Sequence, residues 1–416
     1  MAALADRVDP SHTPGAHTAR AYRGGKPMPS SLLQHCAAAS LALLATTAIP
    51  AQAAPYMIIG LDEKPGTDAQ GKSVVNPTGK DAVLIVDIAK PEDPRIVATL
   101  PLENSIVGPP TNLAISPDGS IALVADSMTV AEENGTRKMV PTDKLFVIDL
   151  KANPAKLVQT VTVGKQPSGL SFSPKGDMAL VCNRADGTIS ELKIDGSNVT
   201  QTDTIPISPG VSHVEFAHDG KHALALKSPD NKVAVLDVDG DKVTYNKLDI
   251  PTYPFPYNVV ISPDSKLAIT ADNGSGGSSD GNLDAVTVID LEGPHPHAIA
   301  HVTVGDAPEG LAMSPKGNLA AALNVDGSNA KQAWFYHQNG SVTILRIEGK
   351  TVTPIKTVEV GAFPEPLAFS PDGRYIYVGN FADQDLSILK VDGTDATNTG
   401  KRFKLPGHPA SMRMGP

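Results

Sequence analysis

The stretch GAFPEPLAFSPDGRYIYVGNFADQDLSILKVDG, Gly361 to Gly393, reads as a set of short strands hinged on turns. Leu367 and Phe369 stand before Ser370-Pro371-Asp372-Gly373, and Ile376 and Val378 stand after it. Their every-second-residue spacing is that of a hairpin with one apolar face. Proline presets φ, Asp-Gly tolerates a positive φ, and proline has no N–H for a ladder, so the tetrapeptide marks a strand boundary. Asp385 to Val391 supplies a third strand.

The same punctuation recurs upstream: SPDG at Ser116, SPKG at Ser173, AHDG at Ala217, SPDS at Ser262 and SPKG at Ser314. Three residues before each turn lies an apolar anchor: Leu113, Leu170, Val214, Val259, Leu311 and Leu367. Successive copies are roughly 44 to 57 residues apart, the period of propeller blades and too long for leucine-rich or ankyrin units. Blades one to six are expected at about 111–163, 168–207, 211–250, 257–304, 309–360 and 365–405. A truncated seventh copy ends the chain at Gly407 to Met412. Residues 55–101 lack such a turn, yet Met57–Gly60, Ala82–Ile88 and Arg95–Leu100 read as strands, and Ala410–Met414 is an inner strand without a blade. The expectation is an all-β, seven-bladed β-propeller in which one C-terminal strand joins three N-terminal strands, removing the edge that an open array exposes.

The pattern PxxLxFSPDG, here from Pro364, followed by YIYVGN at Tyr375 to Asn380, resembles the YVTN-type repeat of lactonase-like propellers. The resemblance covers nearly everything after residue 55 and implies seven blades. Similar propellers include lactonases, lyases, electron-transfer subunits and plain binding scaffolds, so it specifies a fold and leaves the activity open.

Composition agrees with that fold. The 416 residues include 36 Gly and 36 Pro, as turn-rich all-β chains require, and each blade of a propeller packs only on its neighbours. The formal charge of −10 argues against a nucleic-acid or anionic-membrane partner, which needs a basic face. Residues 1–53 read as an N-terminal extension and cleaved signal peptide, with an apolar run at Leu41–Ile49 and the small-x-small site Ala51-Gln52-Ala53. That run is too short for a membrane span. Residues 54–416 are the expected propeller, a periplasmic or secreted monomer. Without Arg7, Arg20, Arg23, Lys26, Asp6 and Asp9 its charge is about −12. Cys182 is then the single cysteine, expected as a small buried hydrophobe.

Insertions mark a working face. Between second and third strands they are expected at Leu61–Lys80, Ser127–Asp143, Asn273–Asp284 and Val325–Asn339, in the closing blade and blades one, four and five. All rim the end of the channel where the chain enters its inner strands. The two residues before each anchor converge there, among them Asn112, His213, Tyr257, Asn258, Glu309 and Glu365. Glu309 and Glu365, from adjacent blades, are candidate acid and base, with His213 as base or water-positioning group. Asn112, Tyr257 and Asn258 are candidate ligand contacts, together with Trp334, Tyr336 and His337 of the blade-five insertion, which holds the one tryptophan.

No cofactor is expected. Asp272, Asp280, Asn282 and Asp284 are weak calcium candidates without an EF-hand pattern, and His295, His297 and His301 weak zinc or copper candidates. CxxC and CxxCH strings are absent, which excludes the usual cysteine redox and haem-attachment signatures. Three classes remain: a scaffold binding a small molecule or envelope protein, a lactonase-type hydrolase as the resemblance implies, and an accessory subunit of a periplasmic dehydrogenase.

Overall fold

The computed structural model describes residues 55–67, 73–105, 107–276 and 278–416. The expected signal segment at 1–53 lies outside the described residues. Seven four-stranded antiparallel sheets follow one another along the chain. Their first strands are Leu113–Ile115, Pro167–Phe172, Val211–Phe216, Pro256–Ile261, Pro308–Met313, Pro364–Phe369 and Pro409–Met414, each touching the next in a closed circuit. The result is an all-β, seven-bladed propeller. Among the described residues no helix is long and apolar enough to cross a membrane.

The turns form for the reason their residues dictate. Ser370 Oγ accepts the Tyr375 N–H at 3.0 Å and donates to Asp372 Oδ1 at 2.6 Å, while the Gly373 N–H closes onto Ser370 O at 2.8 Å. Ser116 and Ser262 repeat this geometry. Ser265 occupies the glycine position of its copy with φ of 59°, a conformation that costs a residue with a side chain.

Each sheet is apolar on both faces, so the core is split into seven clusters, one per blade interface. Leu123, Leu145 and Val147 of blade one meet Leu170, Val181 and Leu192 of blade two. Cys182 lies fully buried between blades two and three, and burial pushes its thiol well above the usual range. Pro409–Met414 pairs antiparallel with Tyr56–Leu61, aligning Met412 with Ile59, and Ala82–Asp87 and Arg95–Leu100 complete that sheet. Two apolar clusters join it to blade six and to blade one.

Three insertions stand where expected: a small hairpin of Pro65–Thr67 and Ser73–Val75, and irregular segments in blades four and five. Blade one departs from expectation. Residues Ser127–Asp143 are not a separate loop but lengthen the second and third strands into one ribbon, Ile121–Glu133 against Thr136–Asp149, turning at Asn134-Gly135. The alternation Met128-Thr129-Val130-Ala131 paired across to Lys138–Pro141 sustains the ladder beyond the blade.

Deleting His408–Pro416 removes a fully paired strand whose Ala410, Ser411 and Met412 are wholly buried. The truncated protein is expected to lose at least about 3 kcal/mol of unfolding free energy in denaturant titration. A melting temperature within about a degree of the full chain would show that this strand does not hold the ring.

Candidate functional site

Because the seven first strands run side by side about the axis, residues at equivalent places gather in rings. Glu309 and Glu365, two residues before their anchors in blades five and six, are only 4% and 2% exposed and hydrogen-bond to each other. Asn273 Nδ2 donates to Glu309 Oε1 at 3.3 Å. Burial raises the Glu309 carboxyl to about 7. Burial and then the Glu309 charge hold Glu365 well above the usual carboxylate range. The two therefore share a proton at neutral pH, one donating to the other. Glu365 Oε2 is buried without a hydrogen-bond partner among the described residues.

Tyr257 of blade four stands beside the pair. Burial, and then the charge on Glu309, push its phenol upward, against the opposing pull of the Arg184 guanidinium. Arg184 is a member that the sequence reading missed. It follows Asn183 at the end of a blade-two strand, where nothing in the repeat distinguishes it from a solvated cation.

The mouth is not open, as the convergence of polar residues had implied. The connection from the closing blade to blade one folds over it, with Gly108, Pro109 and Pro110 buried and the Gly108 backbone hydrogen-bonded to Tyr257. Asn112 Nδ2 and Ser127 Oγ donate to Ser105 O and Val107 O at 3.3 and 3.2 Å. Gly108 has φ of +139°, and a Cβ there would fall 2.5 Å from Ser168 Oγ, so only glycine fits. The root of this cap is tied down by Lys64, wholly buried, which donates to Asp81 and to Asn104 O and lies 3.0 Å from Asp62. Gly108-Pro109-Pro110 was the one sequence signal for the cap, and it carries no periodicity.

His213 does not join the carboxyl pair. It is wholly buried one residue further along its strand, its Nε2 3.5 Å from Glu215, and burial lowers its pKa. Asn258 accompanies it toward the opposite end of the channel.

Trp334 and His337 stand elsewhere, in a cleft of about 770 Å³ between blades four and five, walled also by Phe335, Leu283, Asp306 and Asp326. Trp334 is 88% exposed and packs edge-on to Phe335, with ring centroids 5.6 Å apart. Tyr336 is partly exposed and does not line this cleft. The cleft's carboxylates brace loops: Asp306 accepts the Gly281 N–H at 3.0 Å, and Asp326 accepts the Asp306 N–H at 3.0 Å.

The metal candidates separate. Asp272 is wholly buried, accepting from Thr270 and Thr287, and burial raises it to about 8, whereas Asp284 accepts the Ala307 N–H at 2.9 Å. His301 faces Thr287 Oγ1 at 3.0 Å, while His297 Nδ1 contacts His295 O. Among the described residues no three His, Cys, Asp or Glu side chains gather as a metal set.

The fold and this polar axis define a seven-bladed β-propeller. Residues 67–233 match the family model of the Choice-of-anchor I domain. No curated protein matches the chain. Among solved structures, the periplasmic gluconolactonase of Pseudomonas aeruginosa is 16% identical with a TM-score of 0.61, over 87% of this chain and 99% of that one. A functionally unknown protein from Desulfotomaculum acetoxidans is 13% identical with a TM-score of 0.63, over 86% of this chain and 98% of that one. The hydrazine synthase of Kuenenia stuttgartiensis is 20% identical with a TM-score of 0.54, over 70% of this chain and 79% of that one. At these identities the likeness is one of fold.

The carboxyl pair sets a pH dependence of stability. Folded-state pKa values above the ordinary 4.5 mean that the native protein keeps protons which the unfolded chain releases. Stability is therefore greatest near the unfolded value and falls as pH rises through about 7. Asp126, raised by burial to about 7, and Asp272 add slope of the same sign. Glu365→Gln, which keeps a donor toward Glu309, is expected to flatten the decline between pH 5 and pH 8 in denaturant titrations. An unchanged slope would show that the two carboxyls do not share a proton.

Proposed function

We propose that the protein is an exported YVTN-type propeller that binds a small molecule or an envelope protein through its insertion-bearing face. The observation that carries this reading is the cleft between blades four and five, where the two insertions present an 88% exposed Trp334 beside Phe335 and His337. A tryptophan left this bare by its own fold provides a large rigid contact surface, the kind on which binding energy concentrates. The sealed carboxyl pair offers no comparable surface. Export is supported by the apolar run and the Ala-Gln-Ala site, and by the fold's likeness to the periplasmic gluconolactonase of Pseudomonas aeruginosa.

A photo-crosslinker at position 334 is expected to capture a discrete envelope partner or a small-molecule probe, and Trp334→Ala to weaken that binding about tenfold or more. Its melting temperature should stay within about 2 °C, since a side chain this exposed contributes little to the core. Equal capture from a control position in an outer turn such as Ser197 would remove the cleft as the working surface. N-terminal sequencing of the exported protein is expected to read from Ala54; retention of residues before Leu41 would sink the export reading.

One observation favours a second reading, lactone hydrolysis. Glu309 and Glu365 share a proton, which is the state a general acid–base pair requires. Under it, Glu309→Gln and Glu365→Gln abolish turnover on a lactone and ester panel while calorimetric binding persists. Wild-type protein inactive across that panel would exclude this reading and leave the scaffold standing.

A further inference from the structure

At the opposite end of the channel, where the Ser-Pro turns lie, two cavities of about 220 and 380 Å³ share three lining residues, Glu215, Arg413 and Met414. Glu215 stands one residue past Val214, the anchor of blade three, and Arg413 one residue past Met412, the matching position of the last strand. Equivalent places in neighbouring blades carry Ala114, Ser171, Val260, Ala312 and Ala368, all short side chains, so the acid and the base are the two long side chains of this ring. Burial lowers the Arg413 pKa and the Glu215 charge opposes that shift. Yet among the described residues no carboxylate oxygen lies within 4 Å of the guanidinium. One guanidinium nitrogen, Nη1, donates to Met412 O at 2.9 Å.

His213, wholly buried, lines the smaller cavity with its Nε2 3.5 Å from Glu215, and burial lowers its pKa against the raising pull of Glu215. Fold stability alone does not explain why a cation and an anion are held apart across a cavity.

We infer that this end of the channel is a binding site for a small zwitterionic 2-amino acid. The ligand carboxylate meets the planar guanidinium fork of Arg413, and its ammonium meets Glu215, with His213 within reach of either polar group. Arg413 and Glu215 sum to no net charge, which disfavours a doubly charged phosphate and suits a ligand that is itself neutral overall. The walls fix the side-chain class. Leu311, Met313, Leu367 and Phe369 line one lobe and Leu170 and Phe172 the other, so a small apolar side chain is the one accommodated.

The probe is L-valine, with 3-methylbutanoate and 2-methylpropylamine as the same molecule lacking the ammonium or the carboxylate, measured by calorimetry on the full chain. Valine is expected to bind at least about tenfold more tightly than either truncated compound. Arg413→Met should abolish valine binding, and Glu215→Gln should reduce it to the level of 3-methylbutanoate. No detectable valine binding, equal affinity for the three compounds, or wild-type affinity in Arg413→Met overturns the inference. Arg413 lies in the last strand and its substitution puts folding at risk. Phenylglyoxal labelling of wild-type Arg413, followed by mass spectrometry, provides the independent readout: valine slows the labelling if the site is as described, and an unchanged rate refutes it. Neither readout involves Trp334 or the carboxyl pair, so failure here leaves the proposed insertion-face function untouched.

Discussion

A four-stranded sheet that is apolar on both faces cannot be stable alone, and this constraint shapes the whole molecule. Every blade must find two neighbours, and seven interfaces between seven blades satisfy all fourteen faces only if the series returns to its start. The pairing of Pro409–Met414 with Tyr56–Leu61 places a strand from one end of the chain against one from the other. Met57, Ile59 and Met412 then pack against blade six, and Ile58 and Val83 against blade one.

Closing the ring brings the first strands together about one axis, and small residues there admit the neighbouring blade. A Cβ on Gly169 would lie 2.4 Å from His213 Nδ1, and one on Gly310 would lie 2.5 Å from Glu365 O. Approach at that range desolvates whatever polar groups the strands carry. Glu309, Glu365, His213 and Tyr257 all depart from their ordinary protonation behaviour, and burial is the largest cause in each. The pair Glu309–Glu365 is thus a product of packing: two carboxyls pressed together without solvent hold a proton between them.

The two channel ends and the rim differ in kind. Under the cap of Gly108, Pro109 and Pro110 the axis is polar and closed, with Lys64 anchoring the cap's root among Asp62, Asp81 and Asn104. At the far end an opposed acid and base face a cavity with apolar walls. Outside both, blades four and five hold Trp334 bare. A repeat that is uniform at its turns has been diversified wherever the repeats do not need one another.

The sequence by itself determined the blades. Alternation of Leu367 and Phe369 with Ile376 and Val378 around Ser370-Pro371-Asp372-Gly373 encodes a hairpin through contacts a few residues long, and six such copies require an array. It also located the insertions of blades four and five and the adjacency of Glu309 and Glu365, because ring position follows from repeat register. Only the tertiary structure decided that His213 belongs with Glu215 and Arg413 instead of the carboxyl pair, that Arg184 and Gly108 complete the pair's surroundings, and that residues 127–143 extend a ribbon. Those placements depend on which side chains meet across blades distant in the chain, on how far a hairpin ladder continues, and on a capping segment without periodicity. Local pattern records the pleat and the turn, whereas burial, and with it protonation and accessibility, is set by neighbours that the chain brings together only when the ring is complete.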